Sequence, residues 1–135
     1  MYKRFFAFGC SFTKYFWSTW ADVVSRAYPG IEYVNLGQAG SGNTLLFSRL
    51  MEADQRYRFN ENDLVIIQWG NVAREDRYLE NGWYTSGNIY TSPRYDDNFK
   101  TKFSHPYHFL IRDFTYIKAA KELLSKKCTY YFIAN

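Results

Sequence analysis

The chain alternates between short continuous apolar runs and longer stretches whose apolar residues recur at helical spacing. Residues 4 to 9, "RFFAFG", are almost uninterrupted apolar, which predicts a first strand buried on both faces of a parallel sheet. Trp20, Val23, Val24 and Ala27 then recur as on one face of a helix, and "YPG" at 28 to 30 stops it. "IEYVNLG" (31 to 37) reads as a second strand, "QAGSGN" as a glycine-rich loop, and "TLLFSRLMEADQRY" as a second helix with Leu46, Leu50 and Met51 inward. "DLVIIQW" (63 to 69) is continuous and β-branched, and belongs in the middle of the sheet.

From Arg74 to Ser104 the periodicity dissolves into a long polar and aromatic loop (74–104), with a small hairpin expected around Asn81-Gly82. Pro106 then opens a helix that puts Leu110, Phe114, Ile117, Ala120 and Leu124 on one face, and "CTYYFIA" makes the last strand. This alternation predicts an α/β class: one domain over residues 1–135, with a mostly parallel sheet of about four strands and helices on both faces.

Composition narrows the function classes. With 47% hydrophobic residues the chain can fill a core, and the 21% aromatic content, rich in tyrosine, suits wet clefts. The net charge of +4 comes from scattered lysines and arginines, with no basic stripe or recognition motif of a nucleic-acid binder. No apolar stretch approaches the roughly 18 residues of a membrane span. The run after Lys3 and Arg4 is shorter than the roughly 7–15 apolar residues of a signal peptide. Two cysteines, Cys10 and Cys128, make no disulfide framework, so a reducing, cytoplasmic setting is expected.

Parallel sheets bind ligands outside the carboxyl ends of their strands, so "GCSFT", "NLGQAGSGN" and "WGNVARED" are read together. They offer a hydroxyl on a tight turn, glycines whose N–H groups can approach a ligand, and a side-chain amide. Ser11, Gly40 and Asn71 are therefore candidates for acyl transfer, in which a developing oxyanion needs preorganised donors. Each also has a plain structural reading: Ser11 as a helix cap, Gly37, Gly40 and Gly42 as turn glycines, Asn43 as an N-cap, and Asn71 as a turn residue. Arg74 could clamp an anionic substrate or pair with Glu75, Asp76 or a loop acid. Tyr78, Trp83, Tyr84, Tyr90 and Tyr95 could form a sugar-stacking lid or simply cover the sheet end. Cys10 reads as a small buried thiol, and His105 and His108, flanking Pro106, as structural histidines with no metal-ligand set around them.

At these residues the sequence resembles the SGNH (GDSL-type) hydrolases, and within them a divergent branch common among phage and environmental sequences. "FGCSFT" matches the first block with Cys10 replacing an aspartate; Asn35, Gly37 and Gly40 match the second, and Asn71 in "WGNV" the third. Trp69 followed by Arg74, Glu75 and Asp76 fits the branch, while Asn62-Asp63 precedes its strand and is a decoy. The resemblance implies a flavodoxin-like three-layer α/β/α fold, Ser11 as nucleophile, and the Ser11 and Gly40 N–H groups with the Asn71 amide as oxyanion donors. Asn43, Arg74, Trp83 and Tyr84 would contact substrate; no metal or organic cofactor is implied.

One block is missing. No Asp or Glu is followed three residues later by His, so the family's Asp-x-x-His base has no counterpart. The expectations are a chain cut before its fifth strand, a base supplied by a partner, or an inactive site. The implied function is hydrolysis of an oxygen ester, an acetyl group on carbohydrate being one candidate substrate. The alternative is a non-catalytic glycan-binding or structural module associated with a virion, and a homo-oligomer or virion partner is the expected company.

Overall fold

The structure is a computed structural model describing residues 1–134. The elements in chain order are β1 (Arg4–Phe8), α1 (Trp20–Arg26), β2 (Glu32–Asn35), α2 (Asn43–Tyr57), β3 (Asp63–Trp69), β4 (Arg74–Leu79), β5 (Gly82–Asn88), α3 (Asp97–Phe103), α4 (Pro106–Ser125) and β6 (Thr129–Ala134). β3 is buried along its whole length because it lies between β1 and β6. The main sheet runs β2-β1-β3-β6, all parallel, which is the flavodoxin-like order.

Side chains alternate across the sheet. Phe6, Phe8, Val65, Ile67 and Trp69 pack under α2 and α4, against Leu46, Leu50, Ala120 and Leu124. Phe5, Ala7, Leu64 and Ile66 face α1, against Ala21, Trp20 and Val24. The amino end of the sheet is fixed by Asp63, fully buried, which accepts from Arg4 Nε and Nη2, each at 2.7 Å, and so forms a bidentate pair. Asn62-Asp63 thus lies at the end opposite the candidate site.

Leaving β1 for β2 and returning past β1 to β3, the chain reverses its winding between β1 and β3. Their carboxyl ends form the switch point where ligands of such sheets sit. Over that end folds the hairpin of β4 and β5, whose Leu79 and Gly82 pair across a turn at Glu80 and Asn81. The hairpin occupies much of the stretch in which periodicity shows nothing, and α3 lies there too.

Three expected faces are corrected. In α2, Leu46 and Leu50 are buried with Leu45 and Ala53, but Met51 is 44% exposed. In α1, Val23 points outward and Ala27 is the C-cap, because the helix is only seven residues long and Ala21 is its buried contact. In α4, Phe109, Asp113, Ala120 and Leu124 face inward, whereas Leu110 and Phe114 are 53% and 69% exposed. The cause is Asp113: a polar residue holds a core-facing position because its carboxylate binds Asn43 and Arg112, and that rotates the helix away from its apolar stripe.

Candidate functional site

Gly9 ends β1 at φ +157, and a Cβ there would sit 2.1 Å from Thr13 Oγ1, so only glycine lets the chain turn this tightly. The turn closes when the Thr13 and Lys14 N–H groups donate to the Cys10 carbonyl at 3.0 and 3.1 Å. Thr13 then anchors it. Its hydroxyl donates to Gln68 Oε1 at 3.0 Å, and its carbonyl accepts from Thr19 Oγ1 and Asn35 Nδ2, each at 2.7 Å. Ser11 is left at the apex, partly exposed, between buried Cys10 and buried Thr13. Since α1 starts behind Thr19, Ser11 caps no helix.

After β2, the Asn35 amide ties this loop to the first: its oxygen accepts from the Gly37 N–H at 3.0 Å while its nitrogen holds Thr13. Gly40 has φ +75, a left-handed conformation that disfavours other residues. Ser41 Oγ donates to the Gly9 carbonyl at 3.2 Å, and a Cβ built on Gly70 would lie 3.7 Å from the Ser41 carbonyl oxygen. Ser41 therefore joins the exits of β1 and β3, and brings Ser11, Gly40 and Asn71 to one end of the sheet.

Asn71 is exposed, and its Oδ1 accepts the Ala73 N–H at 2.8 Å, a local turn that fixes the side chain. Among the described residues, no acceptor engages the Ser11 N–H, the Gly40 N–H or the Asn71 amide nitrogen, and nothing is hydrogen-bonded to the Ser11 hydroxyl. Donors without protein acceptors and a hydroxyl without a partner are the group types that acyl transfer uses.

Beneath them Asn43 and Asp76 are both fully engaged. Asn43 is 1% exposed; its oxygen accepts from the Gly70 N–H at 2.8 Å, and its nitrogen donates to the Gly70 carbonyl at 3.1 Å and to Asp113 Oδ2 at 2.8 Å. The substrate-contact role expected of Asn43 is corrected by this burial, and so is the N-cap reading, because Gly42 is the N-cap of α2. Gly42 has no side chain to cap with. Asp76 of the hairpin does it instead, accepting from the Gly42 and Leu45 N–H groups at 2.8 and 2.9 Å. Burial pushes the Asp76 carboxyl above its usual value, against those two bonds and the nearby Arg112 and Arg74. The α2 N-terminus, a natural anion site, is thereby filled from within.

Arg74 Nη1 donates to the Ser41 carbonyl at 2.8 Å, and its Nε is buried without a partner. Of the readings offered for Arg74, the ion pair with Glu75, Asp76 or a loop acid is not formed among the described residues; Arg112 takes Glu75 at 3.2 Å and Asp113 at 2.7 Å. Thr85 Oγ1 donates to the Ala39 carbonyl at 3.1 Å and Gly87 N–H to the Gly40 carbonyl at 3.2 Å, so β5 lies along the glycine loop. Trp83 shares the Thr85 face of β5 by strand alternation and packs edge-on against Tyr78, while Tyr84 faces the other way under Arg94, 4.7 Å from its ring. Tyr95 is buried, and Tyr90 donates to the Ser104 carbonyl at 2.8 Å. The five aromatics do not form one lid.

An aromatic surface that periodicity misses lies elsewhere. Phe12, Tyr15, Phe16 and Trp17 directly follow Ser11, all exposed, and the last three cluster with ring centroids 4.4 to 4.5 Å apart. The signal for it was available: no apolar partner at helical or strand spacing accompanies "FTKYFW".

The histidines are not at this site. His105 is the N-cap of α4, its Nδ1 accepting from the Tyr107 N–H at 3.2 Å, and both histidines line a cleft with Glu75, Arg77, Lys102 and Phe103. Among the described residues, no group of three His, Cys, Asp or Glu side chains is placed to hold a metal. Cys10 is buried, as expected; burial pushes the Cys128 thiol up to about 12. No helix of the described residues is long and apolar enough to cross a membrane. Comparison with family models, with curated proteins and with solved structures finds no match to this chain.

Proposed function

We propose that the chain is a serine ester hydrolase of the SGNH type acting on an oxygen ester, with acetylated carbohydrate as the favoured substrate class. The observation that supports this most is the set of unpaired groups at the switch point: Ser11 hydroxyl and N–H, Gly40 N–H and Asn71 amide nitrogen. In this reading Ser11 Oγ attacks the acyl carbon, the three donors hold the oxyanion, and collapse expels the alcohol and leaves acetyl-Ser11, which water hydrolyses. The rings of Phe12, Tyr15, Phe16 and Trp17 offer apolar faces to a sugar beside the reacting carbon.

No histidine or carboxylate among the described residues bonds to Ser11, so solvent must take the serine proton in this chain. Hydrolysis of p-nitrophenyl acetate should therefore be slow, depend on Ser11, and rise steadily with hydroxide concentration without a histidine-like plateau. Equal rates for the wild type and Ser11→Ala would overturn the reading. The same lack of a base favours the second reading, a binding module that holds glycan on the aromatic loop, for which sugar affinity without Ser11-dependent hydrolysis would be the sign.

A further inference from the structure

α4 carries an apolar stripe on the face it turns to solvent. Tyr107, Leu110, Ile111 and Phe114 are 64%, 53%, 51% and 69% exposed, and with Thr115 they line a shallow cleft of about 400 Å³. Their spacing of i, i+3, i+4 and i+7 is that of a helix face made for packing. The opposite face is already committed, through Phe109, Asp113, Ala120 and Leu124. The stripe also ends abruptly: the next exposed turn holds the Lys118–Glu122 pair at 3.7 Å.

We propose that this half of α4 is the contact of a two-fold symmetric dimer of this chain. The stripe reads the same in both directions, aromatic, aliphatic, aliphatic, aromatic. A two-fold axis between Leu110 and Ile111 sets Tyr107 of one copy against Phe114 of the other, and brings Leu110 and Ile111 each beside its own counterpart, with the two helices antiparallel. Self-complementarity of this kind is what an isologous interface demands, because the same patch must serve both partners. The polar turn at Lys118 limits contact to about two turns, which suits helices crossing at about −50° rather than lying side by side.

Area sets the strength. Large side chains bury about 150–250 Å² each, so four that are more than half exposed offer about 400–500 Å² per copy. The pair then approaches the roughly 1,000 Å² at which specific interfaces begin, so the dimer should be weak and dilution-sensitive. It places no residue at Ser11, and it stands or falls independently of the ester site.

Sedimentation velocity of the full chain across a concentration series tests it. The expected result is a monomer–dimer equilibrium in the micromolar range, abolished by Ile111→Glu or Phe114→Glu with unchanged circular dichroism and melting. An Ile111→Cys variant, which keeps the helix intact, should cross-link to a covalent dimer on mild oxidation; the wild type and a Val23→Cys control on α1 should not. A wild type that stays monomeric to hundreds of micromolar overturns the proposal. So does a dimer that survives both glutamate variants, or an Ile111→Cys chain that fails to cross-link.

Discussion

Asn43 and Asn71 belong to the same end of the sheet, and they are opposites. Asn43 is buried, with its amide fully engaged by Gly70 and Asp113; Asn71 is exposed, with its oxygen fixed by Ala73 and its nitrogen unpaired. The same division separates the floor of the site, where Ser41, Asp76, Asp113 and Arg112 each have a partner, from its rim, where Ser11, Gly40 and Asn71 keep donors without acceptors. A buried amide left unpaired is costly, so the floor must be complete before the fold is stable. Exposed donors can wait for water or substrate. Residue type alone therefore does not separate the two asparagines; the hydrogen bonds they already make do.

Changes to the floor should act on stability and changes to the rim on chemistry. The largest effect is expected from Asp113→Ala, which strands Arg112 and Asn43 without their shared carboxylate and should lower stability by about 3–5 kcal/mol, read by urea denaturation. Asp76→Ala removes the cap of α2 and orphans two buried N–H groups, for a loss of about 2–3 kcal/mol in the same assay. At the rim, Asn71→Ala should cut p-nitrophenyl acetate turnover by about 10²–10³-fold while stability changes by no more than about 1 kcal/mol. If Asn71→Ala instead unfolds the chain, or Asp113→Ala leaves it stable and inactive, the division is wrong.

The smallest effect is a pH dependence. The Thr19 backbone N–H, donating at 2.7 Å, holds the Asp22 carboxyl below its usual value. A depressed carboxyl stabilises the fold above its unfolded pKa and loses that contribution as pH falls through the folded one. Asp22→Asn should therefore be less stable than the wild type at neutral pH, by about 0.5–1 kcal/mol. The difference should close as the solution is made strongly acidic.

Much of the fold was legible because strands buried on both faces write themselves as apolar runs: "DLVIIQW" is β3 to the residue. The hairpin was only half legible. Its turn announces itself near Asn81-Gly82, but β4, "REDRYL", is charged because one face is solvent and the other carries Asp76 to α2. The outward roll of α4 was hidden because Asp113 looks like a surface residue until Asn43, seventy positions earlier, is seen to hold it at 2.8 Å. At the candidate site, glycine and asparagine spacing named the residues that share this sheet end, whereas the engagement of Asn43 and Arg74 depends on the hairpin and α4, partners that no local pattern names.

The most direct measurement is mass spectrometry of the chain after brief exposure to p-nitrophenyl acetate. With donors to hold the oxyanion and p-nitrophenolate a far better leaving group than the serine alkoxide that deacylation must expel, acetyl-enzyme should accumulate as a single acetyl group on Ser11, reduced by Asn71→Ala and absent from Ser11→Ala. An unmodified Ser11, or acetylation confined to surface lysines and identical in Ser11→Ala, would contradict the account.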